Sequence, residues 1–483
     1  MLKITCKLLL AGALLAGGAL AQDSTPAPQP APPSSAPARS QASPAAKPET
    51  HITPPQAEEL FRSVDDILHF ASQDTGLPIR HAVKRALVSR DQVMKYVESR
   101  MGGDKDAQRL RRSELVLKKF GLLPRNFDLQ TFLIALLREQ VAGYYDPKSR
   151  TVNLLDWVDA DVQKPVLAHE LTHALQDQSF NLERWLKDGP GAEKKDADVQ
   201  DDEAVAARQA ITEGQAMVVL TDYELAPLGK SILDAPDVVG QMKASATSGS
   251  PLFNTAPLYI KDSLAFPYTY GLDFERTLLQ RQGKEAAFEG VLQHPPLNTR
   301  EVMQPAVYLA GQHVAPLHPP KLEKVLGKSW QKVDVGAVGE FDISVLVEQY
   351  AGEAVARRLW PQWRGGYYYA ARQKNASPES LALLYVSRWA EPEQATKFAG
   401  IYAQSLKKKY KQVEPGSGAR PARASSGVQV SIADATTQWN TEEGPVFVEP
   451  HGNFVLVMEG FDPATAASLR ESVLPPATTP TSD

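Results

Sequence analysis

Apolar residues recur at helical spacing along the first third of the chain. Leu60, Val64, Ile67, Leu68 and Ala71 form one stripe and predict a helix from Gln56 to Ala71. Asp91 opens a second helix that reaches Met101, and Asp104 a third that runs to Phe120, where Gly121 and Pro124 stop it. Asp128 caps a fourth, LQTFLIALLREQ. The period then changes. VAGYYD and TVNLLDWV, joined by a turn through Pro147, predict a β-hairpin. Helical spacing resumes near Asp161 and continues through Ser179. A further helix is predicted from Asp202 to Glu224, with Ala206, Ala210, Glu213, Met217 and Leu220 on one stripe. Beyond Pro319-Pro320, WRGGYYYAAR and LALLYVSRW read as paired strands and Pro392 to Tyr410 as a helix. PVFVEPHGNFVLVMEGF then reads as a second hairpin before a last helix. The expected class is α+β: a helix-rich domain over residues 51–320 with a small edge-strand hairpin, then a smaller α+β domain over 321–474 in ββαββα order.

The two ends of the chain carry a different pattern. Lys3 and Lys7 precede an apolar run from Leu8 to Leu20 that closes on Ala19-Leu20-Ala21, the layout of a secretory signal peptide over residues 1–21. That run is shorter than the ~20 residues needed to span a bilayer, and no longer one follows, so no transmembrane segment is expected after cleavage. The expected location is periplasmic or secreted, in a bacterium. Eight prolines in the 29 positions 22–50 make a disordered tether. Glu414 to Ser426 reads as a mobile loop and 475–483 as a frayed tail. Residues 188–203 read as a solvated connection, and Lys407, Lys408, Lys409 and Lys411 as a solvated helix end.

Composition narrows the function. With 52 Lys+Arg against 57 Asp+Glu the chain has a formal charge of −5, which argues against a nucleic-acid partner. Its single cysteine, Cys6, lies in the signal segment, so the mature chain has no disulfide and no cysteine metal ligand. Any metal must be held by histidine and carboxylate.

His169-Glu170-Leu171-Thr172-His173 supplies such ligands. Histidines at i and i+4 lie on one helix face and reach the same point, with Glu170 beside them. Zn²⁺ held there, one per chain, would keep a position for water, and Glu170 would act as general base and then acid in hydrolysis. A catalytic site needs a third protein ligand, and no histidine follows His173 until His294. A carboxylate is therefore expected, from among Glu183, Glu203, Glu213, Asp222 and Glu224. Glu213 is favoured because it falls in the middle of an apolar stripe, where an unpartnered charge is costly, and Gly214 beside it allows close helix approach.

These residues, HELTH followed 40 positions later by Glu213-Gly214-Gln215-Ala216, resemble the gluzincin zinc peptidases. Segments from Val141 to Pro147, Ala168 to Gln178, Ile211 to Ala216, Phe266 to Tyr268 with Gly271, and His294 to Pro305 resemble a group of exported bacterial metallopeptidases. The resemblance implies a zincin-like domain acting on peptide or protein substrates. It implies His169, His173 and Glu213 as ligands and Glu170 as the catalytic carboxylate. Where thermolysin carries an Asp that orients a zinc histidine, this chain has Met217. Asp177, four residues after His173, is the alternative orienting group. Tyr144, Tyr145, Tyr268, Tyr270 and His294 are unranked candidates for the oxyanion donor. Two other functions fit the same residues: a non-catalytic envelope protein that binds metal structurally or docks a partner, and a zinc hydrolase acting on non-peptide amides or esters.

Overall fold

The computed structural model describes residues 51–101, 104–140, 143–190, 202–237, 240, 251–416 and 437–474. The signal peptide, the tether, the C-terminal tail, most of 188–203 and most of the 414–426 loop lie outside the described residues. The chain opens with α1 (Pro54–Thr75), β1 (Lys84–Val88), α2 (Arg90–Met101), α3 (Asp104–Phe120) and α4 (Leu129–Gln140). Asp128 Oδ1 accepts the Thr131 N–H at 2.9 Å, as a cap should. At α2 the cap is Ser89 rather than Asp91. Ser89 N–H donates to Gln92 Oε1 at 2.8 Å while Gln92 N–H points back at the Ser89 hydroxyl, a reciprocal capping box.

The hairpin forms as β2 (Tyr144–Asp146) and β3 (Thr151–Leu155), with Tyr144 opposite Asn153. β1 pairs parallel to the other side of β3, giving the order β1-β3-β2 and leaving β2 at the edge. KRALV was too short and too charged at its start to stand out as a strand. Next come α5 (Ala160–Phe180), α6 (Leu182–Asp188), α7 (Asp202–Leu225), α8 (Leu258–Gln282) and the short α9 (Thr299–Met303). Pro267 and Gly271 hid α8 from the sequence pattern, yet packing requires Gly271. A Cβ there would fall on the carbonyl of Ala210, and one on Gly214 would fall on the backbone of Gly271, so α7 and α8 touch backbone to backbone.

After α9 follow β4 (Trp330–Ala337), α10 (Glu340–Ala351), β5 (Trp363–Gln373), β6 (Ala382–Trp389), α11 (Pro392–Lys409), β7 (Val413–Pro415), β8 (Thr437–Thr441), β9 (Gly444–His451), β10 (Phe454–Glu459) and α12 (Pro463–Val473). Seven antiparallel strands form one sheet in the order β4-β5-β6-β10-β9-β8-β7. The protein is thus α+β, with three more strands than the ββαββα pattern predicts. The four strands legible in the sequence are the four central ones, where side chains such as Tyr385, Leu384, Val457 and Leu456 are buried on both faces. The polar edge strands carry no comparable apolar run.

One apolar core joins Leu60 of α1, Leu171 of α5, Ile211 of α7, Leu272 of α8, Leu346 of α10 and Tyr385 of the sheet. The other sheet face packs Leu384 and Leu456 against Leu469 of α12. The lysine cluster is not wholly solvated. Lys409 at the end of α11 is fully buried in an ion pair with Glu459 of β10, and Tyr402 and Tyr410 also donate to that carboxylate. The helix end lies against the sheet, so its last lysine turns inward to a charge it can neutralise.

Candidate metal centre

The helix that carries the site is fixed at its start. Asp159 accepts the Asp161 N–H at 2.9 Å, a cap of about 1 kcal/mol. Gln163 then binds both backbone groups of Leu155, accepting from its N–H at 2.8 Å and donating to its carbonyl at 2.9 Å. This ties α5 to the end of β3 and sets the hairpin against the helix. From Val166 to Gln176 every residue of α5 is buried. Such a helix lies inside the core, and its polar side chains must find partners there.

His169 and His173 point their Nε2 atoms at each other, 3.1 Å apart. Glu213, from the middle of α7, places Oε2 3.2 Å from the first and 3.5 Å from the second. Two facing imidazole nitrogens at that separation need a shared proton or a shared cation. Donors around a tetrahedral ion with bonds of about 2.1 Å lie about 3.4 Å apart, so this triangle fits a metal. The three residues could hold a metal ion, and among the described residues no other group of three such ligands converges. Their exposures are 1, 0 and 2%, and that of Glu170 is 1%.

Charges inside this pocket are strongly coupled. Burial disfavours ionised Glu213, but the charge on His173 and hydrogen bonds from both histidines pull its pKa down to about 2. Burial likewise disfavours the His173 imidazolium, and the Glu213 carboxylate overcomes it, lifting the pKa to about 9. For His169 burial wins and the pKa falls. Burial raises Glu170 to about 8, against the pull of His173 and of the Tyr145 N–H. That N–H donates to Glu170 Oε2 at 2.7 Å and holds the carboxyl beside β2.

The remaining candidates separate clearly. Tyr268 of α8 is fully buried, its ring nearly parallel to that of His169 with centroids 6.3 Å apart. Burial, then the charges of Glu213 and Glu170, push its pKa well up. Tyr145 acts through its backbone, its hydroxyl being given to Asp177 Oδ2 at 2.9 Å. Asp177 therefore does not orient His173. Its other oxygen accepts the Leu182 N–H, and the group 2.9 Å from His173 Nδ1 is Gln176 Oε1, three residues along rather than four. Tyr144 stacks on Tyr96 at 4.3 Å, Tyr270 packs on Phe266, and His294 is exposed, meeting Tyr308 only through its carbonyl. Of the other carboxylates, Glu203 accepts from the backbone and hydroxyl of Thr299, Asp222 from the Ile232 N–H, and Glu183 and Glu224 are exposed.

Gln176 and Gln215 were not foreseen. The signal was clearer for Gln215, a polar residue between Gly214 and Ala216 two positions beyond Glu213, than for Gln176, which lies one turn beyond His173 but is followed by the polar Asp177 and Gln178. Met217, where thermolysin has its orienting Asp, is buried. No family model matches the chain, and no curated protein or solved structure matches it at a significant level.

Proposed function

We propose that the mature chain is an exported zinc-dependent peptidase. What carries this is the convergence of His169 Nε2, His173 Nε2 and Glu213 Oε2 within 3.5 Å, with Glu170 alongside. Two imidazoles and one carboxylate suit zinc and form the three-ligand set of a catalytic site. When bound, zinc would polarise a scissile carbonyl and lower the pKa of a water on its open position toward ~7. Glu170 would take a proton from the attacking water on Oε1, which makes no hydrogen bond among the described residues, while Oε2 stays on the Tyr145 N–H. The same carboxyl would then release that proton to the leaving amine. Tyr268, buried beside His169, would donate its hydroxyl to the developing oxyanion. β2, at the sheet edge, would pair with an extended peptide, which supports peptides over other amides and esters.

Burial of all four site residues means that a peptide reaches them only after the groups over them move. The same burial favours one other function, a metal held for structure alone. Glu170→Gln separates the two. The peptidase account expects full zinc content and at least a 10²-fold loss of hydrolysis of an unfolded protein substrate, read as peptide release. Zinc uptake by a wild-type protein with no hydrolysis of any peptide or unfolded protein supports the structural metal.

A further inference from the structure

A chain of amide hydrogen bonds leads from a backbone turn to His173, and its direction is fixed from the far end. Residues Ala286–Gly290 form one π-type turn, a local widening common at functional sites. Its carbonyls at Ala287 and Phe288 lie 2.9 and 3.0 Å from Gln215 Nε2. Carbonyls only accept, so the amide of Gln215 must present its NH₂ there and its oxygen to the other side. That oxygen lies 2.8 Å from Gln176 Nε2, which also donates to the Thr212 carbonyl at 3.1 Å. Flipping Gln176 would set its oxygen against two acceptors, so its oxygen is the atom 2.9 Å from His173 Nδ1. An oxygen at that place needs an N–H from the ring. Gln176, Gln215 and His173 are each fully buried, so no solvent competes for these bonds.

We infer that Gln176 and Gln215 are positioning residues that lock His173 in its Nδ1–H form and leave Nε2 as the lone pair facing His169 and Glu213. This deepens the metal-site reading and rests on it for its functional meaning. The Nε2 atom is the one a metal would need, and fixing it beforehand removes the cost of ring flips and proton exchange on binding.

Two measurements test it on the full mature chain. The first is a long-range ¹H–¹⁵N correlation of His173 in metal-free protein at about pH 10.5, above the titration range of imidazole. The expected spectrum has Nδ1 protonated and Nε2 bare, and a protonated Nε2 with bare Nδ1 overturns the inference. The second is zinc affinity by competition with a chromophoric chelator. Gln176→Met should weaken it by roughly 10- to 100-fold. Equal affinities for Gln176→Met and wild type, with only a lower Tm, would show packing alone and overturn it. If Gln176→Met does not fold, the wild-type spectrum decides. Absence of zinc binding by wild type with the expected spectrum would refute the metal reading and leave the tautomer lock standing.

Discussion

At the residue scale, the three residues that could hold a metal were readable because their chemistry is unusual for their surroundings. Two histidines at helical spacing and a carboxylate on an apolar stripe each demand a partner, and the structure brings the three together. The supporting residues were harder to read because their roles depend on geometry across helices. Asp177 and Gln176 are one position apart, and only the tertiary placement of Tyr145 shows that Asp177 is occupied and Gln176 is the residue on His173. Tyr268 could not be ranked above Tyr144, Tyr145, Tyr270 and His294 until α8 was seen to lay its ring beside His169. Tyr268→Phe removes one buried hydroxyl and little volume. On the proposed mechanism, in which its hydroxyl donates to the transition state and is not a ligand, it is expected to lower kcat by roughly 10²-fold with zinc content unchanged. A variant at wild-type kcat removes Tyr268 from the mechanism.

At the element scale, sequence pattern served best where a helix or strand has a strong apolar signal of its own. The four central strands and α1, α3, α4, α5 and α7 met that condition. α8 did not, because Pro267 and Gly271 are local helix breakers whose cost is offset by packing. The close crossing of α7 and α8 puts Gly214 against Gly271, one residue after Glu213 and three residues after Tyr268 respectively. Gly271→Ala forces the helices apart against the Ala210 carbonyl. A loss of about 1 to 3 kcal/mol in urea unfolding is expected, together with weaker zinc binding as Glu213 and Tyr268 shift. Unchanged stability and affinity would show that α7 and α8 tolerate a methyl group at their crossing.

At the scale of the whole molecule, ion pairs tie α3 and α11 to the sheet and its turns. Lys119 of α3 and Arg125 share Glu443, each at 2.9 Å, and Lys409 of α11 meets Glu459 of β10. None of these pairings could be read from sequence, because the partners are brought together only by folding. Burial opposes ionisation of Glu459, but the charges of Lys409 and Lys119 outweigh it and hold its pKa below the usual carboxylate value. A depressed carboxylate contributes stability that is present above its unfolded pKa of about 4.3 and is lost as pH falls through the folded value. Denaturation of the wild type should therefore become easier below that point. Glu459→Gln should cost about 3 kcal/mol at pH 7 by stranding Lys409, with a shallower acid dependence. An identical acid profile for the two proteins would mean that the pair does not govern it. The proposed metal centre is tested most directly by anomalous diffraction at the zinc edge on crystals of protein purified without added metal. The account predicts one peak, about 2.0 to 2.2 Å from His169 Nε2, His173 Nε2 and a Glu213 carboxylate oxygen. No peak there, or a peak with Glu213 beyond about 3 Å, would contradict it.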